Sequence, residues 1–358
     1  MKINAEIKKI IEGLKVAKGD KLTLIAKNGE LKMYSNSSNC FGIATSQTDE
    51  TFEATLGFES LARVLSVLRE PELSLDNNMV LLQEGQSKFN LPLAGDLGFS
   101  TLKGKGNPIF IKMKAETFEA LARHTLFATA KEDSRPVFTG IGIKVQNGEM
   151  KAYSSNAHKM AKISLAVDAS ANIEEAKIIP KEVLALKVEG DVNIVFYDNA
   201  ISIAYSNFEF TYPLVTGTAP DYERVIPITN VEMQINKETF VEEIQKVLLV
   251  ATSSKEVNPV QLYFRQDKIE LYSENKEFGK VYGVVNVAIP LELQGKRIAF
   301  NGEYLGDLKH FVSDSFSLAT VVNGESIEIS PVKFHNEEEE FTFVVTPVRT
   351  QTWDLDKD

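Results

Sequence analysis

The segment GELKMYS at residues 29–35 occurs in three versions along this chain of 358 residues. It returns as GEMKAYS at residues 148–154 and, more loosely, as DKIELYS at residues 267–273. The tyrosines of the three versions, Tyr34, Tyr153 and Tyr272, are separated by two equal steps of 119 residues. Three units of this length account for almost the whole chain, and a fixed period of this kind indicates repeated modules. We therefore predict three domains rather than one large core.

Each copy has the same order of predicted elements. An amphipathic helix comes first, because apolar residues recur at intervals of three and four, as in Ile7, Ile10, Ile11 and Leu14. The quoted segment follows as a strand of period two, entered in the first two copies through an Asn-Gly turn. A second helix is predicted at about residues 58–69, 180–188 and 302–312, and short alternating strands close each unit.

These elements predict an α+β fold of three repeated domains, each with two helices packed on antiparallel sheets. Links rich in glycine and proline place the domains at residues 1–106, 107–227 and 228–350, followed by a C-terminal tail at residues 351–358. Similar units joined edge to edge turn by similar angles, so two chains arranged head to tail are expected to form a ring. Gene duplication without any such assembly is the alternative.

Composition and charge restrict the class of function. The net charge of −11 argues against a surface that coats nucleic acid non-specifically. Cys40 is the only cysteine, which excludes an intramolecular disulfide and a cysteine-rich zinc site and favours a reducing, cytoplasmic location. We expect no signal peptide and no membrane partner, since the first residues lack an apolar core and no run of 18 apolar residues occurs.

Catalytic motifs are missing from the sequence. The four histidines form no pair spaced for zinc, and neither a phosphate-binding glycine loop nor a G-x-S-x-G elbow is present. The acidic run Glu337–Glu340 is interpreted as a solvated turn rather than a metal site. We therefore predict a protein that is not an enzyme and needs no cofactor and no metal. An enzyme that uses dispersed carboxylates is the competing hypothesis.

Four segments carry a resemblance to a known family. SRPVFTG at 134–140 resembles the pattern S-R-P-V-L-x-G, and SNAHKMA at 155–161 resembles T-D-G-H-R-L-A. PDYERVIP at 220–227 resembles P-D-Y-R-R-V-L-P, and VVTPVR at 344–349 resembles V-V-M-P-M-R. In this order, and with the triple repeat, they make the chain resemble the bacterial DNA polymerase III beta subunit family over essentially its whole length. The sequence departs from the family patterns at Lys159, Thr346 and Thr350, so its preferred peptide can differ from that of the family. The same divergence is compatible with a plasmid or phage origin as well as a chromosomal one.

The resemblance implies a sliding clamp and processivity factor for DNA replication. It implies a head-to-tail homodimer that encircles duplex DNA without sequence preference, since its contacts go to phosphates. It also implies docking of the replicative DNA polymerase, the clamp loader and other proteins with clamp-binding motifs, through a linear-peptide pocket. The runner-up interpretation is a repeat-built peptide-binding adaptor that does not encircle DNA.

Three sets of residues follow from the resemblance and from helix charge. The peptide-docking pocket is predicted to contain Phe138, Ser155, Ala157, His158, Lys159, Met160, Pro220, Arg224, Val225, Asn301, Tyr304, Val344, Thr346, Pro347, Val348 and Arg349. The DNA-facing set is Lys8, Lys9, Lys15, Arg63, Arg69, Arg123, Arg135, Lys181, Lys246 and Lys309. The dimer interface is predicted at Phe89, Leu91, Leu249, Val250 and Ala251. The tail is interpreted as a frayed end, with QTWDL at 351–355 as a self-docking peptide in the alternative.

Overall fold

A computed structural model describes residues 1–76, 78–95, 102–252, 258–323, 327 and 330–350. The predicted C-terminal tail lies outside the described residues. The chain forms two compact units, and the first contains Met1–Phe118, Val167–Asn172 and Glu182–Val215. The second contains Glu119–Ala166, Ile173–Lys181 and Thr216–Asp358. The middle repeat therefore contributes chain to both units, and the division into three consecutive domains stays a prediction.

The helices within the described residues are short, and none of them is long and apolar enough to span a membrane. The α-helices are α1 (Ala5–Leu14), α2 (Phe58–Val67), α3 (Ala115–Thr125), α4 (Lys237–Ala251) and α5 (Gly302–Leu305). The 3₁₀ helices are Lys15–Ala17, Leu126–Ala128, Pro136–Thr139, Lys181–Ala185, Glu223–Val225 and Gly306–His310.

The predicted first helix of each repeat is confirmed as α1, α3 and α4, whereas the second helix is a regular α-helix only in α2. In the second repeat it shrinks to the 3₁₀ helix Lys181–Ala185, after which Leu186 and Val188 are buried at strand-like spacing. In the third repeat the single turn of α5 passes into a 3₁₀ helix at Gly306, a residue that weakens helix propagation.

The strands run antiparallel to their neighbours and fall into the three repeats. The first repeat has β1 (Lys21–Lys27), β2 (Glu30–Asn36), β3 (Phe41–Gln47), β4 (Phe52–Gly57), β5 (Glu72–Asp76), β6 (Met79–Glu84) and β7 (Ser87–Pro92). The second has β8 (Ile109–Lys114), β9 (Gly140–Gln146), β10 (Glu149–Ser155), β11 (Lys159–Ala166), β12 (Asp168–Ala169), β13 (Ile173–Pro180), β14 (Asp191–Phe196), β15 (Ala200–Tyr205) and β16 (Phe208–Pro213). The third has β17 (Val231–Asn236), β18 (Pro259–Phe264), β19 (Lys268–Asn275), β20 (Gly279–Asn286), β21 (Arg297–Asn301), β22 (Ser315–Thr320), β23 (Val332–Asn336) and β24 (Phe341–Val345).

Consecutive repeats are joined by strand pairing. In the first unit a nine-stranded sheet runs β12-β8-β14-β15-β16-β3-β2-β1-β4, with Phe208 of β16 opposite Ala44 of β3. In the second unit an eight-stranded sheet runs β13-β9-β10-β11-β24-β23-β22-β17, with Phe341 of β24 opposite Ile163 of β11. Ala44 and Ile163 are again 119 residues apart, so the two junctions are built alike.

Two smaller sheets complete the fold. The first unit has the three-stranded sheet β5-β6-β7, and the second unit has the four-stranded sheet β20-β19-β18-β21. Strands β7 and β20 are therefore edge strands, each with one neighbour among the described residues. The alternating Phe89 and Leu91 lie on β7, as the sequence predicted for an outer strand.

Two lysines of the predicted DNA-facing set donate hydrogen bonds to carbonyls within the chain. The Lys8 ammonium donates to the carbonyl of Leu65 at 2.9 Å and to that of Leu68, both at the C-terminal end of α2. The Lys181 ammonium donates to the carbonyls of Ala130 and Lys131 at 3.2 and 3.1 Å. The Lys8 ammonium suits the carbonyls at the end of α2, because these have no partner within the helix. Both lysines are half-buried, and their place in the DNA-facing set stays a prediction.

The acidic run Glu337–Glu340 forms a turn between β23 and β24, but one of its members is not solvated. Glu337, Glu338 and Glu340 are exposed. The Glu339 carboxylate instead accepts from His124 Nε2 at 3.3 Å and from the amides of Val312 and Ser313 at 2.9 and 2.6 Å. The prediction of a wholly solvated turn is therefore wrong at Glu339, which crosslinks three segments of the second unit.

Candidate peptide-docking site

The turn between β10 and β11 is fixed by its own side chains. Ser155 Oγ accepts from the Ala157 amide at 3.0 Å and donates to the Lys159 carbonyl at 2.9 Å. Asn156 Oδ1 accepts from the amides of His158 and Lys159 at 3.0 and 2.9 Å. Ala157 has φ of 72°, a left-handed conformation that costs energy for a residue with a side chain. The bonds hold this strained turn so that Ala157 and His158 face solvent.

The chain after β24 is attached to this turn. The His158 carbonyl accepts from the Thr346 amide at 3.0 Å and from Thr346 Oγ1 at 2.9 Å, next to the paired residues Lys159 and Val345. The Val348 amide donates to the Ala299 carbonyl at 2.8 Å. Thr346, where the family pattern has an apolar residue, therefore uses its hydroxyl to join two walls of the site.

Lys159 is the polar centre of the site. Its ammonium lies 2.6 Å from Asp307 Oδ2, 5.1 Å from the centre of the Tyr304 ring and 5.5 Å from that of Phe127. The side chains of Lys159 and Asp307 are only 10% and 14% exposed. Burial raises the pKa of Asp307 above its usual value, although the charge of Lys159 opposes this effect. Both rings and the carboxylate hold the ammonium in place.

A compact apolar cluster lies beneath the site. Tyr153, Met160, Tyr222 and Val344 form it, and the rings of Tyr153 and Tyr222 are stacked at 5.1 Å and 9°. Met160 and Val344 are buried, so they support the pocket but offer it no surface, which corrects their predicted role as lining residues. Ser155 is also buried and acts through the turn.

The segment after Pro220 is anchored by Tyr222 and Glu223. The Tyr153 hydroxyl donates to Glu223 Oε1 at 2.7 Å, and Lys162 lies at the same distance from that oxygen. Burial raises the pKa of Glu223, but the bonds from Lys162 and Tyr153 outweigh it and the net pKa is lowered. With its neighbours fixed, the segment leaves Arg224 and Val225 exposed.

The remaining predicted pocket residues are positioned by different interactions. Asn301 Oδ1 accepts from the Glu303 amide at 3.0 Å and so caps α5, which positions Tyr304. The Asn156 amide reaches the Tyr304 hydroxyl at 3.5 Å. Phe138 joins the site through the packing of its 3₁₀ helix on β10, and the Arg135 guanidinium covers its ring at 4.3 Å. The half-buried or exposed residues Pro220, Pro347, Val348 and Arg349 complete the set.

Three contributors to the site were missed at the sequence level. Asn156 carries a local signal, because an Asn within a short polar turn commonly bonds the backbone that follows. Asp307 and Phe127 carry no such signal. They meet Lys159 only because three elements come together in the fold: β11, the 3₁₀ helix after α5 and the 3₁₀ helix after α3.

Most predicted DNA-facing residues are exposed, and several form ion pairs within the chain. Arg135 is paired with Asp133 at 3.1 Å in addition to its contact with Phe138. The other pairs are Lys9–Glu189, Lys15–Glu12, Arg63–Glu59 and Lys246–Glu243. Arg69, Arg123 and Lys309 are exposed. Exposed pairs of this kind contribute little energy, so these cations can exchange a carboxylate for a phosphate at small cost.

The predicted dimer residues are only partly available at the surface. Phe89 and Leu91 are half-buried on the edge strand β7, and Leu249 is 76% exposed on α4. Ala251 is fully buried within the chain, so its predicted place in an interface is wrong. The edge strand β20, with Tyr282 half exposed, presents main-chain groups that sequence reasoning did not identify.

Known proteins that resemble this chain match it over most of its length, and they belong to one family. Models of the DNA polymerase III beta subunit match residues 112–221 (central domain) and 223–347 (C-terminal domain), about two thirds of the chain. A beta sliding clamp of Staphylococcus epidermidis is 23% identical over 354 residues, covering 95% of this chain and 92% of the relative. One of Chlamydia trachomatis is 24% identical over 297 residues, covering 78% and 70%.

Solved structures agree with the fold. The DNA polymerase sliding clamp of Pseudomonas aeruginosa has a TM-score of 0.86 at 20% identity, covering 98% of this chain and 99% of that one. The DNA polymerase III beta subunit of Thermotoga maritima has a TM-score of 0.83 at 18% identity, covering 96% and 97%. The predicted α+β class with repeated domains of helices on antiparallel sheets is confirmed by these neighbours.

Proposed function

The chain belongs to the DNA polymerase III beta subunit family, and from this we propose that it is a sliding clamp that holds a replicative polymerase on DNA. Two copies, joined head to tail, encircle duplex DNA and slide along it without reading its sequence. The protein acts by topological linkage rather than by catalysis, and it works in the cytoplasm.

The observation that carries the proposal is the way the repeats are joined. Within the chain, repeats one and two meet by pairing of β3 with β16, and repeats two and three by pairing of β11 with β24. The first repeat then retains the edge strand β7, and the third retains the edge strand β20. Unpaired edges favour association with another strand. Pairing of β7 in one copy with β20 in the next would repeat the internal junction and close the ring.

Encirclement is tested by changing the DNA and not the protein. The protein is loaded with its clamp loader onto nicked circular DNA, and the complex is isolated by gel filtration. We expect retention on the circle and release after a restriction enzyme linearises it, because only the closed circle traps a ring. Equal retention on circular and linear DNA would instead show binding by contact alone, and failure to load on any circle would support the adaptor.

Replacement of Leu91 by aspartate is expected to weaken the dimer roughly 10- to 100-fold, because a carboxylate would be buried without a partner at the interface. Light scattering over a concentration series measures the change. Leu75→Asp is the matched control, since Leu75 is 42% exposed on β5, the opposite edge of the same sheet. An unchanged dimer in Leu91→Asp would place the interface elsewhere.

The peptide-docking pocket is the proposed contact for polymerase and clamp loader. Tyr304→Ala combined with Pro347→Ala is expected to cost on the order of 2–4 kcal/mol of binding if both are hot spots. Fluorescence anisotropy with a labelled clamp-binding peptide measures it. The control, Tyr34→Ala with Pro331→Ala, alters half-buried residues outside the pocket. Wild-type affinity in the first variant would exclude this surface as the docking site.

A further inference from the structure

A cavity of about 480 Å³ lies in the first unit between α1 and the hairpin of β15 and β16. Its volume is within the range of small-molecule sites. Its apolar wall is formed by Ile10, Gly13, Val16, Tyr205 and Phe208. Its charged rim is formed by Glu6, Lys9, Lys187 and Glu189. None of the residues predicted for the peptide-docking pocket or the dimer interface lines it, whereas Lys9 belongs to the predicted DNA-facing set.

The second unit contains the same junction, so the corresponding residues can be identified. Both first helices run into a three-residue 3₁₀ helix, Lys15–Ala17 and Leu126–Ala128, which places Val16 in correspondence with Phe127. By the same alignment Gly13 corresponds to His124. Phe208 corresponds to Phe341, because their strand partners Ala44 and Ile163 are related by the 119-residue repeat.

In the second unit this region is filled by aromatic rings. The Phe127 ring stacks on His310 at 4.3 Å and 5°, and it meets Phe343 edge-on at 5.3 Å. The His124 imidazole lies 4.5 Å from the Phe341 ring. Three phenyl rings and two imidazoles therefore occupy the junction of the second and third repeats.

In the first unit two small residues replace two of these rings. A Cβ at Gly13 would lie 2.5 Å from Phe208 Cζ, so the Phe208 ring occupies the place of the missing imidazole. Val16 is too small to fill the place of the Phe127 ring. Glu189, related to His310 by the 121-residue step from Ile179 to Phe300, pairs with Lys9 at 3.8 Å at the rim. By this correspondence, the cavity borders Val16 where the second junction has the Phe127 ring.

We propose that this cavity binds a small neutral molecule with one or two fused aromatic rings, in the position that the Phe127 ring takes in the second unit. The Tyr205 and Phe208 rings supply the apolar and stacking surface. A neutral ligand is favoured because the two glutamates and two lysines of the rim balance each other. The proposal does not depend on the clamp function.

Indole is the probe that tests the proposal, in calorimetric titration of the full chain. We expect one site with a dissociation constant on the order of 1 mM, which suits a ligand of this size. Val16→Phe should weaken binding about tenfold or more, because the new ring occupies the site. Val67→Phe is the matched control on α2, where Val67 is 69% exposed, and it should bind indole as the wild type does.

The reciprocal change gives an independent test. Phe127→Val should open the equivalent space in the second unit, so that two indoles bind per chain instead of one. No indole binding to the wild type, or equal binding to Val16→Phe and Val67→Phe, would overturn the proposal. If Phe127→Val fails to fold, the comparison of indole binding by Val16→Phe and Val67→Phe still tests the proposal.

Discussion

Replacement of Asp307 by alanine is expected to lower the free energy of unfolding by about 3–5 kcal/mol, the usual cost of leaving one charge of a buried pair alone. The Lys159 ammonium would remain 10% exposed between the Phe127 and Tyr304 rings without its carboxylate. Urea denaturation measures the loss. Peptide affinity should fall in the same variant, because the turn of β10 and β11 is linked to Lys159.

A double substitution separates charge from packing. Lys159→Met with Asp307→Leu removes both charges and should recover most of the stability, as apolar replacements of buried pairs commonly do. Asp191→Ala is the matched control, because Asp191 forms an exposed pair with Lys114 at 2.5 Å and should change stability little. Equal stability of Asp307→Ala and Asp191→Ala would show that water replaces the Asp307 carboxylate as the partner of the Lys159 ammonium.

Replacement of Glu339 by alanine is the second change with a large expected effect, again about 3–5 kcal/mol of unfolding free energy. It leaves the buried His124 ring and the amides of Val312 and Ser313 without their acceptor. Thermal or urea denaturation measures the loss. Glu338→Ala, at an exposed neighbouring position, is the control and should behave as the wild type.

The Glu339 carboxylate is also expected to make the stability of the fold depend on pH in the acid range. Burial alone would raise the pKa of Glu339, but the bonds from His124, Val312 and Ser313 lower it to about 2. Because the folded pKa lies below the unfolded value of 4.5, the stabilisation is complete above that pH and disappears as the pH falls towards 2. The Glu339→Ala chain should lack this part of the pH dependence. Equal unfolding free energies of the wild type at pH 5 and pH 2.5 would contradict this prediction.

Local periodicity was sufficient to predict most elements of the fold. Tyr34, Tyr153 and Tyr272 lie on β2, β10 and β19, and the first helix of every repeat is present. These features can be predicted from sequence because each copy of the repeat keeps the alternating or helical pattern of apolar residues. The second helix was overpredicted in the second repeat, since residues 186–188 follow their packing rather than helix propensity.

The candidate site shows where sequence reasoning ends. The motif at 155–161 predicts the turn, but alternation along β11 does not say which face is covered, so the prediction that Met160 lines the pocket is wrong. Lys159 and Asp307 are 148 residues apart, and each is an ordinary charged residue by itself. Only the fold brings them to 2.6 Å.

Strand pairing between repeats limits how this chain can change its length. One residue inserted in the middle of β11 would turn every later side chain to the opposite face and misalign the strand with β24. The same holds for β3 and β16. Insertions and deletions should therefore collect in hairpin ends such as Asn28-Gly29, and the duplicated architecture can diverge widely in side chains while its backbone spacing stays nearly constant.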